Sequence, residues 1–135
     1  MDVDVTFSFC PTLTELLQRR RAVGRTGRVY DGLASLSTKN NLLTIQSLMN
    51  EVRPLRTLEI GLSFGASALV FCSSHKQLGH TPEGQHIAVD PFQTTVWDSC
   101  GIMALERAGL LGYMDFREAY SAFELPSVAQ RGALG

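Results

Sequence analysis

The chain has 135 residues, 44% of them hydrophobic and 19% charged, with a formal charge of -1. That composition belongs to one globular domain with a single core and excludes a disordered or fibrous segment. A charge so near zero supplies no field for nucleic acid or an anionic membrane, which leaves a small molecule as the expected partner.

The first residues, Met1-Asp2-Val3-Asp4, carry acids where a secretory signal carries a basic region. No apolar run approaches the ~20 residues that span a bilayer, so a cytoplasmic protein is expected. Cys10, Cys72 and Cys100 are odd in number and form no C-x-x-C pair, so neither a disulfide framework nor a zinc site is indicated, and buried thiols are expected. His75, His80 and His86 share one stretch without a carboxylate spaced to join them, so no metal is expected. The first two are placed on a polar loop and His86 at the start of a strand.

In chain order, Leu13, Leu16 and Leu17 predict a helix over 12–22 that Thr12 opens, with Arg19, Arg20 and Arg21 on its solvated face. The glycine-rich stretch 24–32 has no periodicity and reads as a connecting loop. Residues 1–36 thus form an N-terminal helix and loop. Ser37 or Thr38 then caps a helix carrying Leu42, Leu43, Ile45, Leu48, Met49 and Val52, which Pro54 closes. A short strand follows over 57–61, then a glycine turn and an apolar helix over 66–78. A second strand is predicted over 86–90, where Pro91 ends it, then a helix over 96–108. Gly109 and Gly112 lead to a third strand over 114–119 and a short helix from Ser121. Strands alternating with helices imply an α/β domain over 37–135 with a parallel sheet, whose carboxyl edge is where open sheets of this kind bind ligands.

The residues that carry chemistry cluster where the first of these strands meets its helix, in Glu59-Ile60-Gly61-Leu62-Ser63-Phe64-Gly65-Ala66-Ser67. Gly61 permits a turn that other residues resist, and Gly65 removes a side chain where a ligand approaches the main chain at a helix start. Ser67 can cap that helix or donate to a bound carboxylate. Glu59 lies in a largely apolar strand and needs a cationic or hydrogen-donating partner.

The pattern Glu59-x-Gly61-x-x-x-Gly65-x-Ser67 resembles motif I of class I S-adenosylmethionine-dependent methyltransferases, in the form found among small-molecule O-methyltransferases. Ser63 stands where the commoner motif has its central glycine. The ordered series Asp90-Pro91-Phe92-Gln93, Trp97, Gly109-Leu110, Ser121 and Leu125-Pro126 is similar to the same group, so the likeness covers about 37–128. It implies a Rossmann-like sheet, S-adenosylmethionine as cofactor and a small molecule as methyl acceptor. Gly61, Ser63 and Ser67 would then line the methionine moiety, with Glu59 near the cofactor's charged end. Asp90 would hold the ribose hydroxyls, Pro91 and Phe92 would flank the adenine, and Ser121 and Ala122 would touch it.

The resemblance also implies seven strands, of which about three are present. The substrate pocket and general base belong to the later strands, so no catalytic residue is assigned. In the strand order that the resemblance implies, the first strand lies inside the sheet, so a missing fourth strand would expose one of its edges, for which a homo-oligomer is a ready solution. Simpler roles stand beside the functional ones: an ion pair of Glu59 with Arg56 or Arg53, helix capping by Asp90 or Ser121, and a core or interface position for Trp97 in place of a substrate platform. Two other functions compete: a non-catalytic cofactor-binding or subunit-interaction module, and an NAD-dependent oxidoreductase fragment. The spacing of Gly61 and Gly65 does not make G-x-G-x-x-G, which counts against the last.

Overall fold

The computed structural model describes residues 7–33 and 36–130. The acidic start read at Asp2 and Asp4, and the ends of both domain ranges (1–6, 34–35 and 131–135), lie outside them.

Helix α1 spans Pro11–Arg19 and buries Leu13, Leu16 and Leu17. Proline is tolerated at its start because a first-turn N–H has no intrahelical acceptor to lose. The helix ends three residues sooner than the apolar pattern suggests. Arg20 turns left-handed (φ 50°), its N–H closing on the Leu16 carbonyl, and the chain leaves as strand β1, Arg21–Val23. β1 pairs antiparallel with β2, Val29–Asp31, so part of the expected loop 24–32 is a hairpin. The cause is tertiary. The Asp98 carboxylate accepts from the Thr26 amide (3.0 Å) and hydroxyl (2.8 Å), and the Arg25 amide donates to the Asp98 carbonyl (2.9 Å). A Cβ on Gly24 would lie 2.1 Å from the same carboxylate, so only glycine fits there.

Helix α2, Lys39–Val52, begins at Thr38, whose hydroxyl accepts the Asn41 amide. It ends at a left-handed Arg53 ahead of Pro54. Strand β3 (Thr57–Ile60), helix α3 (Ala66–Gln77), strand β4 (His86–Val89), helix α4 (Cys100–Arg107), strand β5 (Met114–Arg117) and helix α5 (Ser121–Gln130) follow. The three strands form a parallel sheet in the order β3-β4-β5, with Glu59 opposite Ala88 and Val89 opposite both Ile60 and Arg117. The fold is therefore α/β.

Residue alternation along β4 shows how both sheet faces are covered. Ala88 joins the larger core, with Leu69 and Cys72 of α3 and Leu105 of α4, while Ile87 and Val89 meet Val128 of α5. All three cysteines are free and buried. Arg117 fastens α5 to its strand by bonding both Glu124 and Asp115 at 2.9 Å. Helix α4 is shorter than the predicted 96–108 because Asp98 and Ser99 both have positive φ (45° and 60°), which breaks the helix before Cys100. No helix among the described residues is long and apolar enough to cross a membrane.

Candidate ligand-binding site

The turn from β3 into α3 is made by three residues with positive φ: Gly61 (89°), Ser63 (51°) and Gly65 (89°). Ser63 is the informative member, since a side chain in this region costs roughly 1–2 kcal/mol. A Cβ on Gly65 would stand 3.1 Å from the Gly101 carbonyl, so this turn and the start of α4 meet backbone to backbone.

Asp90, at the tip of β4 and 3% exposed, holds that turn in shape. Its Oδ2 accepts the Leu62 and Ser63 amides, both at 3.0 Å, and its Oδ1 accepts the Phe92 amide at 2.9 Å. Asp90 is therefore a fastener between two strand tips and caps neither α3 nor α4. Gln93, fully buried, adds a second fastener: its amide donates to the Ser63 carbonyl (2.9 Å) and its oxygen accepts the Gly101 amide (2.7 Å).

Over the turn lies a crevice of about 80 Å³ lined by Leu36, Ser37, Gly61, Leu62, Ser63, Phe64, Ala66 and Ser67. The Ser67 and Ser37 hydroxyls are 3.0 Å apart across it. Gly61, Ser63 and Ser67 line this crevice together, while Glu59, Asp90 and Gly65 do not. Ser37 was visible in the sequence only as a possible cap, a role that Thr38 fills.

Glu59 faces the other way. Its Oε1 lies 3.0 Å from His86 Nε2, at the amino end of β4, so neither Arg53 nor Arg56 is its partner. His75, expected on a polar loop, is fully buried in α3, and His80 is half-buried with its ring nitrogen 2.9 Å from that of His75. Burial, and then the neighbouring His80 and His86, push His75 down to about 4. Burial also pushes the Cys72 thiol up, with Glu59 adding to it.

Beyond the tip of β4, Pro91 is half-buried and Phe92 is exposed, its ring meeting Tyr120 edge to face at 5.8 Å. Ser121 and Ala122 open α5 directly after Tyr120, so the adenine-flanking candidates sit at one end of the sheet. Tyr120 went unnoticed in the sequence because it lies between a strand and a helix with no periodic signal. Thr94 is tied to Glu118 by bonds of 2.7 Å, which joins this end of β4 to the end of β5. Trp97 packs against the core, edge to face with Phe64 at 5.2 Å. Among the described residues no three His, Cys, Asp or Glu side chains group to hold a metal. Neither the family models nor the curated proteins compared with this chain give a match.

Proposed function

We propose that this chain carries the S-adenosylmethionine-binding portion of a class I methyltransferase acting on a small molecule. The observation that carries the reading is the left-handed Ser63 between two left-handed glycines. The residue that replaces a glycine of the resembling motif adopts the backbone conformation a glycine would take, at a strand-to-helix turn on the carboxyl edge of a parallel sheet. That edge is the general ligand position in open α/β sheets.

On this reading the crevice takes only the amino-acid end of the cofactor, since about 80 Å³ is far below the ~300 Å³ at which ligand pockets begin. Ser63, Ser67 and the first-turn amides of α3 would receive the carboxylate, where a helix start favours negative charge. The nucleoside would lie over the strand tips toward Phe92 and Tyr120, with Ser121 and Ala122 beside it. A ribose hydroxyl would meet Asp90 at Oδ1, the oxygen that accepts one backbone bond where Oδ2 accepts two. Bound there, the cofactor supplies an electrophilic methyl group on sulfur. The residues described here bind and orient it.

Calorimetric titration with S-adenosylmethionine, S-adenosylhomocysteine and NAD tests the reading. Saturable heat with the first two and none with NAD is expected. Silence with both sulfur nucleosides, or equal binding of NAD, overturns it.

A further inference from the structure

Five side chains that the proposed function leaves unused form a continuous hydrogen-bonded chain beneath the site. Glu59 Oε1 lies 3.0 Å from His86 Nε2, and His86 Nδ1 lies 2.8 Å from Thr57 Oγ1. The same hydroxyl lies 2.8 Å from His75 Nε2, and His75 Nδ1 lies 2.9 Å from His80 Nδ1. His86 and His75 are fully buried, with the Phe71 ring stacked on His86 at 4.5 Å. Thr57 and Glu59 are partly buried, and His80, at the other end of the chain, lines an open depression of about 280 Å³ with Arg56 and Glu83.

One deduction orients every proton in this chain. A carboxylate brings none, so His86 Nε2 must donate to Glu59, which leaves His86 Nδ1 as an acceptor. The Thr57 hydroxyl must then donate to His86, its oxygen must accept from His75 Nε2, and His75 Nδ1 must accept from His80 Nδ1. Each link follows from the one before, because a neutral imidazole has one donor and one acceptor nitrogen.

We infer that Glu59, His86, Thr57, His75 and His80 form a directional proton relay that runs through two buried histidines between the Glu59 carboxylate of β3 and the surface depression at His80. A proton arriving at His80 Nε2 can be passed on by four successive exchanges: His80 Nδ1 to His75 Nδ1, His75 Nε2 to Thr57, Thr57 to His86 Nδ1, and His86 Nε2 to Glu59. One proton enters from solvent and one arrives on Glu59. All three histidines end in the opposite tautomer, with every hydrogen bond reversed and none lost. The relay does not depend on which ligand the crevice takes.

The surroundings suit transfer more than storage. Burial and two histidine neighbours hold His75 at about 4, so at neutral pH a proton does not stay on that ring. The other titratable or charged groups around the chain are Cys72 of α3 near Glu59, Tyr113, whose hydroxyl donates to the His80 carbonyl at 2.9 Å, and Arg56 and Glu83 beside His80.

Imidazole nitrogen NMR of the whole chain tests the inference. At neutral pH, His86 and His75 are expected to carry their proton on Nε2, and His80 on Nδ1. Thr57→Val should leave His86 unchanged but let His75 and His80 become tautomer mixtures, whereas Thr57→Ser should preserve the native pattern. Glu59→Leu, which removes the acceptor that sets the direction, should release all three rings. A different set of tautomers in the native chain overturns the relay, as does a Thr57→Val variant whose His75 and His80 spectra match the native ones. If Thr57→Val fails to fold, the native tautomers and Glu59→Leu still decide it.

Discussion

Asp90 illustrates how one side chain can serve a site without lining it. Its carboxylate closes three backbone bonds in a 3% exposed position, so replacing it with alanine leaves the Leu62, Ser63 and Phe92 amides without an acceptor. A buried donor stranded in this way costs about 1–3 kcal/mol. The Leu62 amide is buried and those of Ser63 and Phe92 are nearer solvent, so Asp90→Ala should lower stability by about 1–3 kcal/mol, read as the shift in the urea midpoint at unchanged slope. His75 sets a second expectation. Its folded value of about 4 lies below the ordinary histidine value of 6.5, so between those limits the unfolded chain binds more protons. Stability should rise with pH through that window and fall on acidification by on the order of 3 kcal/mol, the equivalent of the shift. Thermal melts of the native chain and of His75→Leu at pH 7 and pH 4.5 would show it, the variant having lost this part of the dependence. At this scale the sequence disclosed residue types but not directions. Glu59 and Asp90 stood out as acids among apolar neighbours, yet only the packing of α3 against β3 and β4 shows that one turns inward to His86 and the other to the glycine turn.

Apart from α4, the elements from α2 onward follow the sequence closely because their signals are local. A hydroxyl cap and a proline stop bound α2, and glycine punctuation separates three apolar strands from their helices. The misread elements answer to distant partners. The β1–β2 hairpin carries no period-2 apolar pattern, since Arg21 and Val23 point outward and the pair is anchored by Asp98, more than sixty positions away. The late start of α4 likewise reflects Gln93 and the left-handed Asp98 and Ser99, none of which interrupts the apolar spacing of Val96, Trp97 and Cys100. Removing the anchor should loosen the hairpin first. In Asp98→Ala, amide hydrogen exchange at Gly24 and Arg25, whose N–H groups bond to Arg28 and Asp98 carbonyls, is expected to accelerate well before that of β4.

Across the whole molecule the sheet is unevenly closed. β4 lies between two neighbours, whereas β3 and β5 each have a partner on one side only among the described residues. Ile60 stands exposed in β3 itself, and Leu48, Val52 and Leu55 are exposed on α2 and its exit. An unpaired edge beside apolar surface is a template for another strand. Light scattering over a concentration series should show self-association that weakens in Ile60→Lys, and a strictly monomeric chain at all concentrations would refute this. The parallel topology was legible in the alternation of strands and helices. The exposed edge was expected on the first strand through the resemblance alone, because strand order is decided by crossovers that leave no mark on composition.

The contact between Trp97 and Phe64 has a practical consequence. The chain holds a single tryptophan, and that ring rests against a phenylalanine that lines the crevice. Its intrinsic emission therefore originates one van der Waals contact from the glycine turn. Any molecule that enters and displaces Phe64 should alter the colour or intensity of that emission, so the fold carries its own optical gauge of occupancy, with no dye attached.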